Sequence, residues 1–228
     1  MIYIAENPLH IHLDSALAAV SEQRRQHALR YRRDEDRRLS VAAYLLLCHA
    51  LKEEFGITAP PEFAFTEHGK PYLPLYPHIL FSISHCREAV ACALACAPVG
   101  IDVESLSAFD PALIAAVMSP AEQERILCAA SPALEFTRRW TMKESLLKMR
   151  GDGLTTTDHL ATLFTSTTCE VDTGIGDIAS SAAGHRFITH ENPTAGYVCT
   201  SCLATDAHTS PAEVPIIVPA TLLTIHSL

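Results

Sequence analysis

PVGIDVES, residues 98–105, alternates aliphatic and acidic side chains as a β-strand does. Side chains two apart on a strand point to the same face, so Val99, Ile101 and Val103 share one face while Asp102 and Glu104 share the other. The aliphatic face predicts burial against a core. Two carboxylates this close repel each other unless a cation lies between them. The stretch therefore predicts a core strand whose second face carries a functional site.

Composition places the chain among globular proteins. Its 228 residues are 48% hydrophobic and 19% charged, enough for one large domain or two small ones. The eight cysteines are scattered through apolar stretches, which favours a reducing compartment over a disulfide framework. The N-terminus lacks the basic start of a signal peptide, and no run approaches the roughly 18 apolar residues of a membrane span. We therefore expect a soluble cytoplasmic protein without membrane contact.

Charge is unevenly distributed along the chain. The formal net charge is −9, and residues 151–228 hold one of the 17 lysines and arginines but eight of the 26 acids. An acidic protein is a poor general nucleic-acid binder, so we expect no nucleic-acid partner. Seven arginines nevertheless crowd between Arg24 and Arg38. They suit a compact anionic ligand or an acidic partner, or else a solvated helix face paired with the acids at 34–36.

Hydrophobic periodicity predicts a mixture of helices and strands. In the first half we expect a strand at 2–5, helical turns at 14–29, a helix at 35–55, a strand–turn–strand unit at 63–73, and a meander of strands at 79–85, 89–95 and 100–104. In the second half we expect a helix after Ser119-Pro120, a helix at 136–149, and strands at 185–190 and 196–204. The last two strands follow an earlier pair at an offset of 107, which places Cys92 on Cys199 and hints at two similar halves.

The stretch WTMKESLLK, residues 140–148, carries further charged groups on a predicted helix. Glu144 and Lys148 are four apart and share a face, which taken alone indicates an ordinary surface ion pair. Together with Asp102 and Glu104, however, Glu144 completes a set of three carboxylates. Such a set suits a hard divalent cation, and magnesium is preferred over zinc because the set contains no histidine or thiolate.

Cations and hydroxyls near these acids point to a phosphate-bearing ligand. Lys70 lies in a turn, Ser84 and His85 end a strand, and Lys143 and Lys148 flank Glu144 in sequence. Cationic side chains beside a magnesium ion suit a polyphosphate or pyrophosphate. His85 taken alone is better explained as a core histidine, and only its context singles it out.

Four motifs in order carry a family resemblance. They are HGKPYL at 68–73, FSISH at 81–85, GIDVE at 100–104 and WTMKESLLK at 140–148, the last followed by GDGL. This series resembles the 4′-phosphopantetheinyl transferases, and within them the pseudo-dimeric type that activates surfactin synthetase. The resemblance extends over about residues 20–155, and the C-terminal residues add little to it.

The resemblance implies an α+β fold of two similar α/β lobes in one chain, related by pseudo-twofold symmetry. The lobes are expected at 1–104 and 105–228, with the ligand in the cleft between them. Two lobes in one chain make a monomer sufficient.

The resemblance also implies the metal ligands and the catalytic groups. Asp102, Glu104 and Glu144 match the magnesium carboxylates. Lys148 would contact the pyrophosphate and assist the departing nucleotide. Glu144, directly or through water, is the candidate base.

The residues expected to bind coenzyme A form a larger set. Lys70, Ser84 and His85 match positions that hold its 3′-phosphate. The full set is Arg25, Arg37, Arg38, Lys70, Ser84, His85, Lys143 and Lys148. Asp152 in GDGL departs from the basic or neutral residue common in the family.

The implied reaction transfers the 4′-phosphopantetheine arm of coenzyme A to a serine of an apo-acyl or peptidyl carrier protein. It requires magnesium and releases 3′,5′-ADP, and the carrier could serve fatty acid, polyketide or peptide synthesis. Two alternatives stay open: a magnesium-dependent phosphohydrolase of a nucleotide or coenzyme A, and a non-catalytic coenzyme A binding module.

Overall fold

A computed structural model of the chain describes residues 1–106, 110–151, 157–164, 172–173, 177–182, 185–204 and 215–225. The strands are β1 (Ile2–Glu6), β2 (Ala64–Phe65), β3 (Pro71–Tyr72), β4 (Leu80–His85), β5 (Ala89–Ala95), β6 (Val99–Ser105), β7 (Asp172–Thr173), β8 (Asp177–Ala182), β9 (His185–Asn192), β10 (Tyr197–Ala204) and β11 (Ile216–Pro219). The helices are α1 (Leu13–Ala19), α2 (Glu22–Leu29), α3 (Asp34–Phe55), α4 (Pro111–Val117), α5 (Pro120–Cys128), α6 (Pro132–Arg150), α7 (Thr157–Thr162) and α8 (Leu222–Ile225). Within these residues no helix is both long enough and apolar enough to cross a membrane.

Two sheets organise the mixed α and β fold. The first has the strand order β11-β1-β5-β4, and the second has the order β6-β10-β9-β8-β7. The strands pair antiparallel except β11, which runs parallel to β1. Strands β2 and β3 form a separate short hairpin. The C-terminal strand thus returns to the sheet that begins the chain.

The two long helices have clear sequence signals at their ends. Acidic residues at 34–36 fill the first turn of α3, where they interact favourably with the helix dipole. Ser131 caps α6 by accepting a hydrogen bond from the Leu134 amide, and Pro132 occupies its first turn. Both helices end at a glycine in the left-handed conformation, Gly56 with φ 67° and Gly151 with φ 75°.

Each long helix packs on one sheet and buries an apolar layer against it. A further apolar layer lies between the two sheets. Helix α3 packs on the first sheet, burying Leu46 and Leu47 with Phe81 and Val90. Helix α6 packs on β6 and β10 of the second sheet. The layer between the sheets is lined by residues that include Ile2, Ile4, Ala91, Ile101 and Val103. The aliphatic face of β6 is therefore buried, as its alternation predicts.

The predicted meander is wrong in its third strand. Strands β4 and β5 pair, but β6 pairs with β10 and begins the second sheet. Strand β6 still lies beside β4, where the Ser82 hydroxyl accepts a hydrogen bond from the Ile101 amide at 3.1 Å. The chain changes sheets between β5 and β6. The predicted boundary between residues 104 and 105 therefore separates β6 from its own sheet.

The two cysteines that the offset of 107 aligns lie in different apolar layers. Cys92 packs in the core under α3, whereas Cys199 packs between the sheets. A one-residue slip along a strand exchanges its two faces. Cys92 and Cys199 therefore do not occupy equivalent faces of their strands.

Helix α6 and strand β6 approach each other closely at Gly100. A Cβ atom there would lie 1.9 Å from the Ser145 carbonyl oxygen and 2.5 Å from the Met149 nitrogen. Only glycine allows this approach, since both neighbours are backbone atoms. The contact fixes α6 against the strand that carries Asp102 and Glu104.

Candidate active site

A cleft of about 510 Å³ opens where β4, an edge strand of the first sheet, meets β6, an edge strand of the second. Helices α2 and α6 supply further walls. The three predicted metal ligands, Asp102, Glu104 and Glu144, all line it. So do three of the predicted coenzyme A residues, Ser84, His85 and Lys148. The structure thus brings six of the predicted residues, from Ser84 to Lys148, into one site.

Asp102 is the most enclosed carboxylate of the cleft, with 2% of its surface exposed. Its Oδ1 accepts hydrogen bonds from the Ser84 hydroxyl at 2.9 Å and the Lys148 ammonium at 2.6 Å. Lys148 also donates to the Ser84 hydroxyl at 2.8 Å. The other oxygen, Oδ2, is buried without a hydrogen-bond partner among the described residues. Because an unpaired buried carboxylate oxygen is costly, this atom is suited to a cation.

The other two carboxylates hold their protons more tightly than usual. Burial, followed by repulsion from Asp102, raises the pKa of Glu104 to about 7, although the Trp140 indole donates to its Oε1 at 3.4 Å. Burial and the Asp102 charge also raise the pKa of Glu144, and Lys148 partly offsets the effect. Both shifts follow from acids gathered in a confined space. A divalent cation bound in the cleft would lower both pKa values, because it favours the charged carboxylates.

The donor chemistry of the cleft fits magnesium. Three carboxylates without a thiolate or imidazole in the set are hard oxygen ligands, and Asp102 Oδ2 is open to a further partner. Among the described residues no group of three or more acids, histidines or cysteines lies close enough together to hold a metal ion by itself. Magnesium commonly binds through a few carboxylates, with water and substrate phosphates completing its ligands.

A cationic wall faces the same cleft. Burial is the main reason that the pKa of the His85 imidazole is lowered. The positive charges of Lys148 and Arg24 lower it further. The Arg24 guanidinium donates to the Ser40 carbonyl and lies over the Tyr44 ring, 5.7 Å from its centroid. Its Nε is buried and unpartnered within the described part of the chain. These groups suit an anion near the end of β4.

Lys143 does not bind in the cleft, contrary to the sequence-based expectation. Its side chain is fully buried, and its ammonium donates to the Val117 carbonyl at 3.0 Å, the Leu160 carbonyl at 2.7 Å and Glu122 Oε2 at 2.8 Å. All three of its protons are therefore used. Adjacent residues of a helix point in different directions, so Lys143 faces away from the site that Glu144 lines.

Lys70 lies beside the cleft, in an adjoining cavity of about 400 Å³ that also touches Glu144 and Lys148. Its ammonium donates to the Met149 carbonyl at 2.8 Å and to the Val99 carbonyl at 3.4 Å. Both acceptors are backbone atoms, one in β6 of the second sheet and one in α6, the helix that packs on that sheet. Burial lowers the pKa of Lys70.

Two of the three other predicted arginines have partners outside the acidic cleft. Arg25 is exposed and pairs with Glu22 at 3.6 Å. Arg37 donates to the Tyr31 carbonyl and to Asp34. These contacts match the solvated-face explanation of the cluster. Arg38 has a buried Nε with no hydrogen-bond partner among the described residues, and Asp152 lies outside the described residues.

Two family models match the chain, and their matches meet where the chain passes from the first sheet to the second before β6. Residues 98–202 match the 4′-phosphopantetheinyl transferase superfamily, and residues 6–97 match the model described as 4′-phosphopantetheinyl transferase, N-terminal. The chain belongs to the 4′-phosphopantetheinyl transferase superfamily. The division at 97/98 agrees with the change of sheet before β6.

Two of three curated relatives carry the family name. The chain is 33% identical over 145 residues to a 4′-phosphopantetheinyl transferase of Bacillus subtilis, covering 62% of this chain and 64% of that protein. It is 27% identical over 141 residues to the 4′-phosphopantetheinyl transferase Sfp of Bacillus subtilis strain 168, covering 60% and 63%. It is 31% identical over 127 residues to Enterobactin synthase component D of Escherichia coli K12, covering 54% and 57%. The chain thus spans less than two thirds of the length of each.

Sequence reasoning missed three residues that line the cleft of this superfamily member. Arg24, His27 and Tyr31 reach it from α2 and the turn that follows. A signal for Arg24 was available. It lies four residues before Ala28, the buried residue of α2, and so falls on the same face of that helix. An arginine on such a face needs a buried partner or a ligand.

Proposed function

We propose that the protein transfers the 4′-phosphopantetheine arm of coenzyme A to a serine hydroxyl of an apo-carrier protein, releasing 3′,5′-ADP. The observation that carries this proposal is the shared cleft, in which Asp102, Glu104 and Glu144 stand beside Lys148, Ser84 and His85. Acids that suit a metal and cations that suit phosphates are both needed to hold a pyrophosphate. Family membership supports the same reaction.

The cationic wall is the proposed place for the nucleotide phosphates. Ser84 and His85 end β4 at the cleft, and Arg24 and His27 face it from α2. A hydroxyl, an imidazole and a guanidinium are suitable donors to phosphate oxygens. We assign the 3′-phosphate of coenzyme A to this group. Arg24 and His27 thereby replace Arg25, Arg37 and Arg38, which the resemblance implied as contacts to coenzyme A.

The three carboxylates are the proposed magnesium ligands. Asp102 Oδ2, Glu104 and Glu144 would hold the ion, which when bound neutralises charge on the pyrophosphate oxygens. Asp102 Oδ1 keeps its hydrogen bonds to Ser84 and Lys148, so the lysine stays aimed at the site.

The chain's own residues would then carry out the chemistry by positioning and by charge. Glu144, which lines the cleft beside Lys148, takes the proton from the serine hydroxyl, directly or through a water. The serine oxygen forms a bond to the β-phosphorus, and the bond from that phosphorus to the bridging oxygen breaks. Lys148 stabilises the negative charge on the departing 3′,5′-ADP.

The test is intact-protein mass spectrometry of an apo-carrier protein incubated with coenzyme A and magnesium. We expect the carrier to gain one phosphopantetheine arm, and a chelator to block the gain. Asp102→Asn should lower the rate at least about a hundredfold, while the exposed Glu53→Gln should leave it unchanged. Consumption of coenzyme A without a modified carrier would instead indicate a phosphohydrolase, and intact coenzyme A would indicate a binding module.

We further propose that the two halves are pseudo-twofold related lobes that meet at 97/98. The order β1-β5-β4 in the first sheet parallels β6-β10-β9 in the second. In each half a long helix, α3 or α6, packs on the sheet. Since one chain supplies both walls of the cleft, we propose a monomer as the working unit.

We propose the cytoplasm as the place of action and an acyl or peptidyl carrier as the partner. All seven described cysteines are free, which supports a reducing compartment. Neither nucleic acid nor a membrane is needed for the proposed reaction.

A further inference from the structure

Lys70 holds two elements of the other half of the chain through one ammonium group. Its Nζ donates to the carbonyl of Met149, next to Lys148 near the end of α6, and to the carbonyl of Val99, at the start of β6. These are the two elements that carry the acidic residues of the cleft. Lys70 itself follows β2, on the side of the first sheet.

The turn that presents Lys70 is well defined. The Thr66 amide donates to the Lys70 carbonyl at 2.9 Å, the Gly69 amide donates to the Thr66 carbonyl at 3.0 Å, and the Lys70 amide donates to the Thr66 hydroxyl at 3.1 Å. Gly69 has φ 84°, a conformation that glycine adopts without strain. Since its base is fixed, the side chain has a defined reach.

The end of α6 is shaped to receive this side chain. A Cβ atom at Gly151 would lie 2.8 Å from Lys70 Cδ, so the glycine that ends the helix also leaves room for the lysine stem. Terminal carbonyls of a helix lack intrahelical partners and carry partial negative charge. An ammonium is therefore a favourable cap at this position.

We propose that Lys70 is a positioning residue: it holds the end of α6 to the start of β6 from the opposite half, and so sets the distance of Glu144 and Lys148 from Asp102. This inference rests on the proposed function for its kinetic consequences. It differs from the sequence-based expectation that Lys70 grips the 3′-phosphate of coenzyme A, because the ammonium already has two backbone acceptors in the other half.

The kinetic test compares coenzyme A with 3′-dephospho-coenzyme A as donors. Lys70→Met should lower kcat per folded molecule about tenfold or more with both donors, leaving their ratio unchanged within about twofold, because a displaced α6 impairs transfer of either. His85→Gln, which alters the anion wall, should impair coenzyme A selectively. Lys70→Arg, which keeps a cation, should recover part of kcat, and Lys52→Met on α3 serves as the matched lysine control.

A second readout does not depend on turnover. Trp140, the single tryptophan, lines the cleft one turn before Glu144, so its fluorescence should follow titration with magnesium alone. Lys70→Met should raise the half-saturating magnesium concentration about tenfold, because its ligands are no longer held together. Lys52→Met should match the wild type.

Each result decides the matter. Selective loss of activity with coenzyme A would mean that Lys70 binds the 3′-phosphate. If kcat per folded molecule and the magnesium titration are both unchanged, Lys70 only stabilises the fold. Selective loss with coenzyme A and this lack of any change would each overturn the proposal. If the wild type modifies no carrier with either donor, the proposed function is wrong. The magnesium titration would still test whether Lys70 positions the acidic residues.

Discussion

Replacing Glu104 by glutamine should stabilise the protein at alkaline pH while removing a proposed magnesium ligand. The folded protein raises the pKa of this carboxyl from its usual 4.5 to about 7, first through burial and then through repulsion from Asp102. Glutamine has nearly the same shape, and its amide oxygen can still accept the Trp140 indole hydrogen bond. The substitution therefore removes the charge and little else.

The direction of the effect follows from proton linkage. Because the folded state binds this proton more tightly than the unfolded state, Glu104 contributes most to stability below about pH 4.5, and that contribution is lost as the pH rises through 7. A rise in the pKa of Glu104 from 4.5 to about 7 corresponds to roughly 3 kcal/mol, and partial exposure of the side chain reduces this to about 2 kcal/mol. At pH 8 the variant should gain about that amount in free energy of unfolding, or some 4–8 °C in Tm. At pH 5 the gain should fall below about 1 kcal/mol.

The measurement is urea unfolding at both pH values in the presence of chelator, with Glu53→Gln as an exposed carboxylate control. Added magnesium should then stabilise the wild type more than the variant, since only the wild type keeps all three carboxylates. A variant no more stable than the wild type at pH 8 would show that Glu104 is not held in a repulsive site. Our account of the acidic cleft would then be wrong.

Three further changes test other parts of the structure. Gly100→Ala should cost about 3 kcal/mol or more, because its Cβ would strike the α6 backbone, and unchanged urea stability would contradict the close packing of β6 on α6. Lys143→Met should lower the free energy of unfolding by about 3–5 kcal/mol, because it leaves Glu122 buried without its ion-pair partner. The folded fraction should keep its transfer activity. A stable but inactive variant would instead indicate that Lys143 acts in the site. Trp140→Phe removes the hydrogen bond that lowers the pKa of Glu104, so the pH at which magnesium binding is half lost should move upward by less than one unit, as a fluorescent magnesium competition assay would measure.

Local patterns predicted much of the secondary structure and the acidic half of the site. Helix α3 and strands β4 and β5 fall within one or two residues of their predicted ranges. Glu144 and Lys148 share a helix face, as a spacing of four requires, and both line the cleft. These features follow from the repeat of a single helix or strand, which neighbouring residues fix.

Sheet membership and the partners of individual cations could not be read in this way. Strand β6 has the same alternation whether it pairs with β5 or with β10, and only packing of α6 against Gly100 and of the sheets against each other selects β10. Lys143 and Lys148 lie on one helix and are chemically identical, yet one is buried among distant carbonyls and the other reaches Asp102.

The sequence by itself determined which side chains share a face: the aliphatic and acidic faces of β6, and the pairing of Glu144 with Lys148. Backbone geometry alone sets those periods of two and of 3.6 residues. Only the tertiary structure decided that Arg24 lines the cleft, that Lys143 is buried outside it, and that Lys70 contacts the end of α6. The reason is that a buried cation must find its acceptors wherever the packed chain provides them, and those acceptors lie 16 to 79 residues away.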